Sequence, residues 1–198
     1  MSILNKPFNL LVKILLSFKK VKVGKNVIFD AIPSIVLTKG AHIEIGDDCI
    51  IRRGVELRAT KESILVISNG CKLDRDVRII STNQKRIHIG KGTKIGLGTV
   101  FNGGDDITIG EKSLISGYVY IQTSMHKYES KVDTSSNGYT YGSIHLKRNC
   151  WVGVHAVVLP GVSLGENSII GSNSVVNKSF SDNSIIAGSP AKLIKTIP

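Results

Sequence analysis

Histidine is the side chain of this sequence best suited to moving a proton near neutral pH, because imidazole changes its charge in that range. Five histidines are present, at positions 42, 88, 126, 145 and 155. The three cysteines are an odd number with no Cys-x-x-Cys spacing, which argues against a disulfide framework and against a zinc–thiolate site. The histidines, rather than the thiols, are therefore the candidates for acid–base chemistry.

The composition predicts a folded, turn-rich chain with an anionic partner. Its 198 residues are 41% hydrophobic and 21% charged, which argues against a disordered or membrane-embedded chain. Twenty glycines beside 6% aromatic residues argue against a helical bundle. The net charge is +11, and six of the lysines lie within residues 1–27, where no acidic residue occurs. The remainder has no Lys/Arg run of the nucleic-acid type, so we expect no nucleic-acid partner.

Residues 3–18 are predicted to form an amphipathic helix with a broad apolar face. Its polar stripe recurs every four residues and consists of Asn5, Asn9, Lys13 and Ser17. The apolar face consists of Phe8, Leu10, Leu11, Ile14, Leu15 and Phe18. The segment is too short and too interrupted to span a bilayer, and no signal-peptide cleavage site follows it. Two roles stay open, a cap on the main domain or a basic interfacial helix on anionic lipid.

A six-residue repeat runs through most of the chain. An aliphatic residue is followed by glycine or a similar residue, two turn residues, a small residue and a variable one, as in IGDDCI at 45, IGKGTK at 89 and IGSNSV at 170. We predict that each hexapeptide is a short strand with an inward aliphatic side chain, plus a turn whose glycines supply unusual backbone angles. The fifth residue must be small because it lies at an interior corner. All three cysteines occupy that position, so we interpret them as buried spacers.

Three hexapeptides make one triangular coil, so the spacing of equivalent residues predicts the size of each coil. Early equivalents such as Ile45 and Ile67 are 22 residues apart, and late ones are 18 apart. The step from Ile109 to Leu146 is 37 residues, which is one coil plus 19. This excess, MHKYESKVDTSSNGYTYGS, predicts a protruding loop, which we assign to 127–143, and long loops in compact repeats are commonly functional.

The repeat resembles the hexapeptide-repeat acyltransferases, a family with a left-handed parallel β-helix. The resemblance covers about residues 23–195 and is strongest over 150–195, from CWVGVHAVVLPGVSLGENS to AGSPAKLIK. That part is similar to the C-terminal half of maltose and galactoside O-acetyltransferases and of capsule or exopolysaccharide O-acetyltransferases. The resemblance implies an all-β fold, acetyl-CoA as co-substrate, no metal, and a homotrimer with active sites between subunits. The zinc-binding γ-class carbonic anhydrases share the fold but need two histidines five residues apart, a spacing absent here.

The resemblance implies that His126 is the catalytic base, because the family places its histidine at the end of the last hexapeptide before the loop. His126 would take the proton of an acceptor hydroxyl as that hydroxyl attacks the thioester. Asn102, in VFNGG, is similar to the asparagine with which some sugar acetyltransferases hold the acceptor. A carboxylate that orients His126 stays open among Glu129, Asp105 and Asp106.

The other histidines are assigned from their place in the repeat. His88 and His145 immediately precede inward aliphatic residues, so alternation along a strand directs both outward. We predict that His145 lies at the edge of the site where the sugar acceptor binds. His42 lies at a coil edge and His155 in a turn, and neither is assigned to the chemistry.

Coenzyme A is expected to lie along the C-terminal coils. The resemblance implies that its pantetheine arm follows backbone and an aromatic wall, and that lysines receive its nucleotide end. The residues assigned to it are Trp151, Gly153, Gly171, Ser172, Asn177, Lys178, Lys192 and Lys195.

These expectations divide the chain into a helix or cap at 1–22, an acyltransferase β-helix at 23–187 and a tail at 188–198. The expected function is acetyl-CoA-dependent O-acetylation of a sugar during assembly of a bacterial surface polysaccharide, in the cytoplasm or at the inner face of the plasma membrane. Two alternatives stay open: N-acetylation of a nucleotide-linked amino sugar, and a non-catalytic β-helix scaffold. The former enzymes often carry a further domain before the β-helix, for which the short segment before residue 23 leaves no room.

Overall fold

The computed structural model describes residues 6–128 and 136–198, which form one helix followed by a three-sided coil of short strands. Helix α1 is Lys6–Phe18, and the described strands are numbered β1 to β25 in chain order. Three sheets, A, B and C, each take one strand from seven successive coils, which pair in parallel. Sheet B continues with β24 and with β25, which pairs antiparallel. This architecture is the parallel β-helix predicted from the six-residue repeat.

The strands are short because each spans only one side of the triangle. Sheet A contains β1 (Lys22–Val23), β4 (His42–Ile45), β7 (Ile64–Ile67), β10 (Arg86–Ile89), β13 (Ile107–Ile109), β18 (Ile144–Leu146) and β21 (Ser163–Leu164). Sheet B contains β2 (Ile28–Phe29), β5 (Ile50–Ile51), β8 (Lys72–Leu73), β11 (Lys94–Ile95), β14 (Leu114–Ile115), β19 (Trp151–Val152), β22 (Ile169–Ile170), β24 (Ser184–Gly188) and β25 (Ala191–Thr196). Sheet C contains β3 (Ser34–Leu37), β6 (Glu56–Ala59), β9 (Arg78–Ser81), β12 (Val100–Gly103), β15 (Tyr120–Gln122), β20 (Val157–Val158) and β23 (Val175–Val176).

The hydrogen-bond register confirms the predicted coil sizes. Ile67 pairs with Ile89, which is the step of 22, and Leu146 pairs with Leu164, which is the step of 18. Ile109 pairs with Leu146 across the 37-residue step. The coil between Ile89 and Ile109 takes 20 residues. Insertions therefore leave the stacking of the coils unchanged and emerge at corners.

The aliphatic first position of each hexapeptide fills the interior. Every one of these side chains is 2% exposed or less, so the predicted core is confirmed. Burial of such side chains is the main source of stability in a repeat whose coils contact only their neighbours. The stack consists of Ile45, Ile51, Ile67, Leu73, Ile89, Ile95, Ile109, Ile115, Ile121, Leu146, Val152, Val158, Leu164, Ile170 and Val176.

Where the fifth position is Ser, Thr or Cys, the side chain is buried, as predicted, and it also forms a hydrogen bond between coils. Thr93 Oγ1 donates to the carbonyl of Gly110 at 3.0 Å, and Cys71 Sγ donates to that of Gly90 at 3.1 Å. Cys150 Sγ donates to the carbonyl of Gly165 at 3.2 Å. Ser, Thr and Cys recur here because a corner carbonyl of the next coil needs a donor and has room only for a short one.

Glycine serves the turn for two different reasons. At the fourth position the chain turns through left-handed backbone, with φ of +70° at Gly92 and +57° at Asp48, which is the reason predicted. At the second position the reason is space. A Cβ on Gly90 would lie 2.7 Å from the backbone nitrogen of Glu111 in the next coil.

Helix α1 packs on the first coil through two buried apolar side chains, Val12 and Leu16, and through Asn9 and Lys13 of its polar stripe. Asn9 Oδ1 accepts the backbone N–H of Phe29 at 2.9 Å, and Lys13 Nζ donates to the carbonyl of Gly24 at 2.8 Å. Between them, Val12 and Leu16 are buried. Of the apolar face predicted from the sequence, Phe8 packs against the core, whereas five members are exposed: Leu10, Leu11, Ile14, Leu15 and Phe18.

The end of α1 is fixed by a Schellman motif. Val21 N–H donates to the carbonyl of Leu16 at 3.0 Å, and Lys20 N–H donates to that of Ser17 at 2.8 Å. Lys20 takes the left-handed conformation that the motif requires, with φ of +60°. Along the described residues, no helix has the length and apolar character needed to cross a membrane.

Neighbouring isoleucines on β5 provide a test of the inward stack. We expect Ile51→Ala to lower the free energy of unfolding by about 2–5 kcal/mol, because the fully buried side chain leaves a cavity. Ile50→Ala changes the same residue type on the outward face of the same strand and should cost about 1 kcal/mol or less. Urea unfolding of both variants measures the difference, and equal costs would contradict the assignment of faces.

Candidate active site

His126 lies on a small hairpin that leaves the β-helix after the fifth coil, which consists of β13, β14 and β15. Strand β16 (Ser124–His126) pairs antiparallel with β17 (Tyr139–Tyr141), and His126 is opposite Tyr139. Their ring centroids are 4.4 Å apart with a 40° tilt, so the tyrosine supports one side of the imidazole. The segment 127–143, predicted as a plain loop, therefore contains β17; its residues 129–135 lie outside the described part of the chain.

The VFNGG sequence seats this hairpin on sheet C. Thr123, just before β16, donates through Oγ1 to the carbonyl of Asn102 at 3.1 Å and accepts the N–H of Asp105 at 2.9 Å. A Cβ on Gly104 would lie 2.8 Å from the ring of Tyr141. The second glycine of VFNGG thus leaves room for the returning strand, which fixes where His126 lies.

Two cavities meet at His126. One, of about 470 Å³, lies over sheet C and is lined by Asn102, Gln122, Ser124, Met125, His126 and Tyr139. The other, of about 490 Å³, is lined by Met125, His126, Lys127, Tyr128 and Thr140. The imidazole is exposed to both, so a group bound in either cavity can approach it.

The first cavity brings together two residues that the sequence singled out, His126 and Asn102. It also contains Gln122 and Tyr139, which the sequence analysis missed. Gln122 was detectable, because it follows inward Ile121 on β15 and pairs in register with Asn102 one coil below. Tyr139 was not, because the β16–β17 pairing lies outside the six-residue repeat.

Asp105 is held by groups other than His126. Its carboxylate forms an ion pair with Lys85 at 2.8 Å and also hydrogen-bonds Ser143. Burial opposes ionisation, but the hydrogen bonds from Lys85 and from the Asp106 N–H outweigh it and hold the pKa of Asp105 below its ordinary value.

The remaining carboxylates considered for His126 lie elsewhere. Asp106 accepts the N–H of Arg86 at 2.7 Å. Glu129 lies outside the described residues. Across the two described ranges, no carboxylate forms a hydrogen bond or ion pair with His126.

The other histidines lie away from both cavities. His88 and His145 lie on the outer face of sheet A, as alternation predicts. His145 is exposed beside Thr108 and Ser163 and lines neither cavity, so the structure does not bring it to the acceptor edge. His88 hydrogen-bonds Ser68 Oγ at 2.9 Å, and burial lowers its pKa.

The residues assigned to coenzyme A cluster on the last three coils. Trp151, half exposed on β19, donates through Nε1 to Ser116 Oγ at 3.2 Å. The N–H groups of Gly153 and Gly171 donate to carbonyls of the next coil at 2.8 and 2.7 Å, so both are already occupied within the coil ladder. Ser172 is exposed beside them.

The lysines assigned to the nucleotide end of coenzyme A lie near the C-terminal end of the β-helix. Lys178 follows β23 and lies over the ring of Phe180, 5.6 Å from its centroid. Lys192 and Lys195 are exposed on β25, which pairs antiparallel with β24.

The thiols of Cys71 and Cys150 are unsuited to nucleophilic chemistry. Burial raises the pKa of the Cys150 thiol to about 11. The neighbouring thiol of Cys49, together with burial, raises the pKa of Cys71. Protonated buried thiols are poor nucleophiles. Over the described part of the chain, no group of three or more His, Cys, Asp and Glu side chains is arranged to hold a metal ion.

Comparisons with known proteins agree with the geometry. Residues 143–178 match the family model described as bacterial transferase hexapeptide (six repeats). Galactoside O-acetyltransferase of Escherichia coli is 34% identical over 91 residues, which are 46% of this chain and 44% of that enzyme. The chain therefore matches less than half the length of this relative.

Solved structures show the fold. A mutant of AntD, an N-acyltransferase from Bacillus cereus in complex with dTDP and coenzyme A, has a TM-score of 0.67 at 20% identity, covering 92% of this chain and 87% of that one. A maltose O-acetyltransferase from Clostridium difficile has a TM-score of 0.56 at 24% identity, covering 74% and 71%. The resemblance to hexapeptide-repeat acyltransferases and the left-handed parallel β-helix are confirmed.

The ion pair of Asp105 predicts a pH-dependent stability. Because the pKa of Asp105 is lowered on folding, its contribution is present above its ordinary value of 3.8 and is lost as the pH falls through the lowered value. We expect Asp105→Asn to cost about 1–3 kcal/mol at pH 7, and the difference from wild type to shrink on acidification below the ordinary pKa. Urea unfolding at neutral and acidic pH measures it.

Glu111→Gln is the matched control for that experiment. Glu111 is exposed and forms no ion pair within the described residues. Its removal should change the free energy of unfolding by about 0.5 kcal/mol or less. A cost for Asp105→Asn that does not vary with pH would contradict the assigned role of the carboxylate.

Proposed function

We propose that this protein is an acetyl-CoA-dependent O-acetyltransferase that acts on a sugar hydroxyl, with His126 as the general base. The observation that carries the proposal is the cavity in which His126 faces Asn102 and Gln122 on the outer surface of sheet C. The similarity of the chain to galactoside O-acetyltransferase supports O-acetyl transfer as the reaction. In the proposed site, Asn102 and Gln122 hold acceptor oxygens by hydrogen bonds and Tyr139 supports the imidazole.

The proposed step is the transfer of an acetyl group from the thioester to the acceptor hydroxyl. His126 removes the proton from the acceptor hydroxyl while the hydroxyl oxygen bonds to the thioester carbonyl carbon. The carbon–sulfur bond then breaks, and the thiolate of coenzyme A takes the proton from the imidazolium. The products are the acetyl ester of the sugar and free coenzyme A, with His126 restored to its neutral form.

The register of sheet C continues the column of Gln122 toward Lys178. Tyr120 pairs with Val157 and Val157 with Val175, so the column that contains Gln122 continues through Leu159 to Asn177. With roughly 4.8 Å between neighbouring strands, Asn177 lies roughly 10 Å beyond Gln122. In the proposed site, an extended pantetheine arm along this column brings the phosphates of coenzyme A toward Lys178 at the end of sheet C. Lys192 and Lys195, on β25 of sheet B, attract the phosphates as point charges from the adjacent side.

A homotrimer and a role in surface-polysaccharide assembly belong to the same proposal. Large exposed apolar side chains lie on coils five and six, where they support association between subunits: Leu114, Tyr118, Tyr120, Trp151 and Val154. We place the protein in the cytoplasm, where acetyl-CoA is available, acting on saccharide assembled at the inner face of the plasma membrane.

Removing the base tests the mechanism. We expect His126→Ala to lower the rate of acetyl transfer to sugar acceptors by about 10²–10⁴-fold, because the hydroxyl then lacks a positioned base. His42→Ala is the control, since His42 lies at coil two beside Glu44 and far from both cavities. A rate for His126→Ala equal to that of His42→Ala would overturn the role of His126. Running hydroxyl and amino sugars in parallel distinguishes O- from N-acetylation.

The single tryptophan provides a binding assay that does not depend on turnover. Trp151 is half exposed on the coils assigned to coenzyme A, so we expect titration with coenzyme A to change its emission. Lys192→Glu with Lys195→Glu should weaken binding by about tenfold or more, because two attractive charges become repulsive toward phosphate. Calorimetry that detects no binding of coenzyme A would instead support a scaffold without catalytic activity.

A further inference from the structure

Helix α1 has an apolar surface that nothing in the described chain covers. Five large side chains within its last nine residues are 39–79% exposed, whereas the opposite side of the helix is packed on the β-helix. An exposed apolar patch of this kind marks a binding surface. We call it the apolar face of α1, and it consists of Leu10, Leu11, Ile14, Leu15 and Phe18.

A basic cavity adjoins the end of this face. Phe18, Lys19 and Lys20 from the end of α1 and Lys39 from the next corner line a space of about 510 Å³. Among the described residues, none of these three lysines forms an ion pair. The first acidic residue of the sequence is Asp30, and Arg52 neutralises it at 3.0 Å. Lys22 is paired with Glu44 and Glu62 shares a cavity with Lys39, so the excess positive charge beside the apolar face is carried by Lys19 and Lys20.

We propose that α1 docks the protein on an anionic lipid bilayer. The apolar face enters the boundary between headgroups and acyl chains, while Lys19, Lys20 and Lys39 contact lipid phosphates. The helix, about 20 Å long, lies in the plane of the interface. Because Asn9 and Lys13 bind the first coil from the opposite side, α1 docks without leaving the β-helix. The two roles suggested by the sequence, cap and lipid contact, thus use different faces of one helix.

Charge favours lipid over a second copy of the chain. Two copies that met through the apolar face would bring their lysine-rich segments together, and residues 1–29 contain no acidic residue to neutralise them. An anionic bilayer supplies the missing negative charge and the apolar phase at once. The inference concerns binding alone and does not depend on acetyl transfer.

Vesicle sedimentation of the full-length protein tests the proposal. Wild type should sediment with vesicles of equal parts phosphatidylcholine and phosphatidylglycerol, more weakly at high salt, and should not sediment with pure phosphatidylcholine. Ile14→Glu should lower partitioning by about tenfold or more, because it places a charge in the apolar phase. Lys19→Glu with Lys20→Glu should lower it by a similar factor through charge reversal.

Ile194→Glu is the matched control. Ile194 is 61% exposed on β25 at the other end of the coil, against 45% for Ile14, so the same substitution there should leave partitioning unchanged. Sedimentation velocity without lipid measures whether the protein forms an oligomer through the apolar face of α1. Failure of wild type to bind anionic vesicles, equal binding by Ile14→Glu, or a wild-type oligomer that Ile14→Glu dissociates without any vesicle binding would each overturn the proposal.

Discussion

The structure depends on the register between successive coils. Each coil stacks its inward aliphatic side chains on those of the coil below, and its corner carbonyls accept hydrogen bonds from small side chains there. Ile89, Ile109 and Leu146 are in register although the chain between them takes 20 and then 37 residues. Because stacking tolerates no shift along a strand, additional residues can leave the coil only at corners. Side chains available for chemistry therefore lie on the outer faces of the sheets and on the segments inserted at corners.

The candidate active site follows from that confinement. Asn102 and Gln122 are adjacent because two coils stack, and not because of any local motif. His126 comes from the one large insertion, and Thr123 and Gly104 determine how that insertion leaves the coil. Asp105 belongs to this scaffold as well, since its ion pair with Lys85 and its hydrogen bond with Ser143 tie together the coil and the exit of the hairpin. Asp105 thus helps to hold the hairpin through Thr123 and Ser143 without contacting His126.

The period of the repeat explains how much was predictable. Coil sizes, the buried stack and the cysteines at corners all follow from one spacing, and the structure confirms them. The hairpin escaped prediction because β16 and β17 pair antiparallel, outside the period. Likewise, the second-position glycines were explained by backbone angle, whereas Gly90 is needed because another coil lies within 2.7 Å of where its Cβ would be. Contacts between coils cannot be predicted from the sequence of a single hexapeptide.

The orientation of α1 shows why an amphipathic pattern does not by itself identify the docked face. The first coil of a β-helix ends in unpaired backbone groups, and an exposed sheet edge of this kind must be capped. An apolar helix face would leave those groups without partners. Asn9 accepts the N–H of Phe29 and Lys13 donates to the carbonyl of Gly24, so the polar stripe is the part that satisfies the edge. Asn9 and Lys13 lie on the same side of the helix as the buried Val12 and Leu16, so the large apolar side chains of the opposite side remain exposed. Three of the lysines that contribute to the net charge of +11, Lys19, Lys20 and Lys39, line a cavity together with Phe18 at the end of this apolar surface.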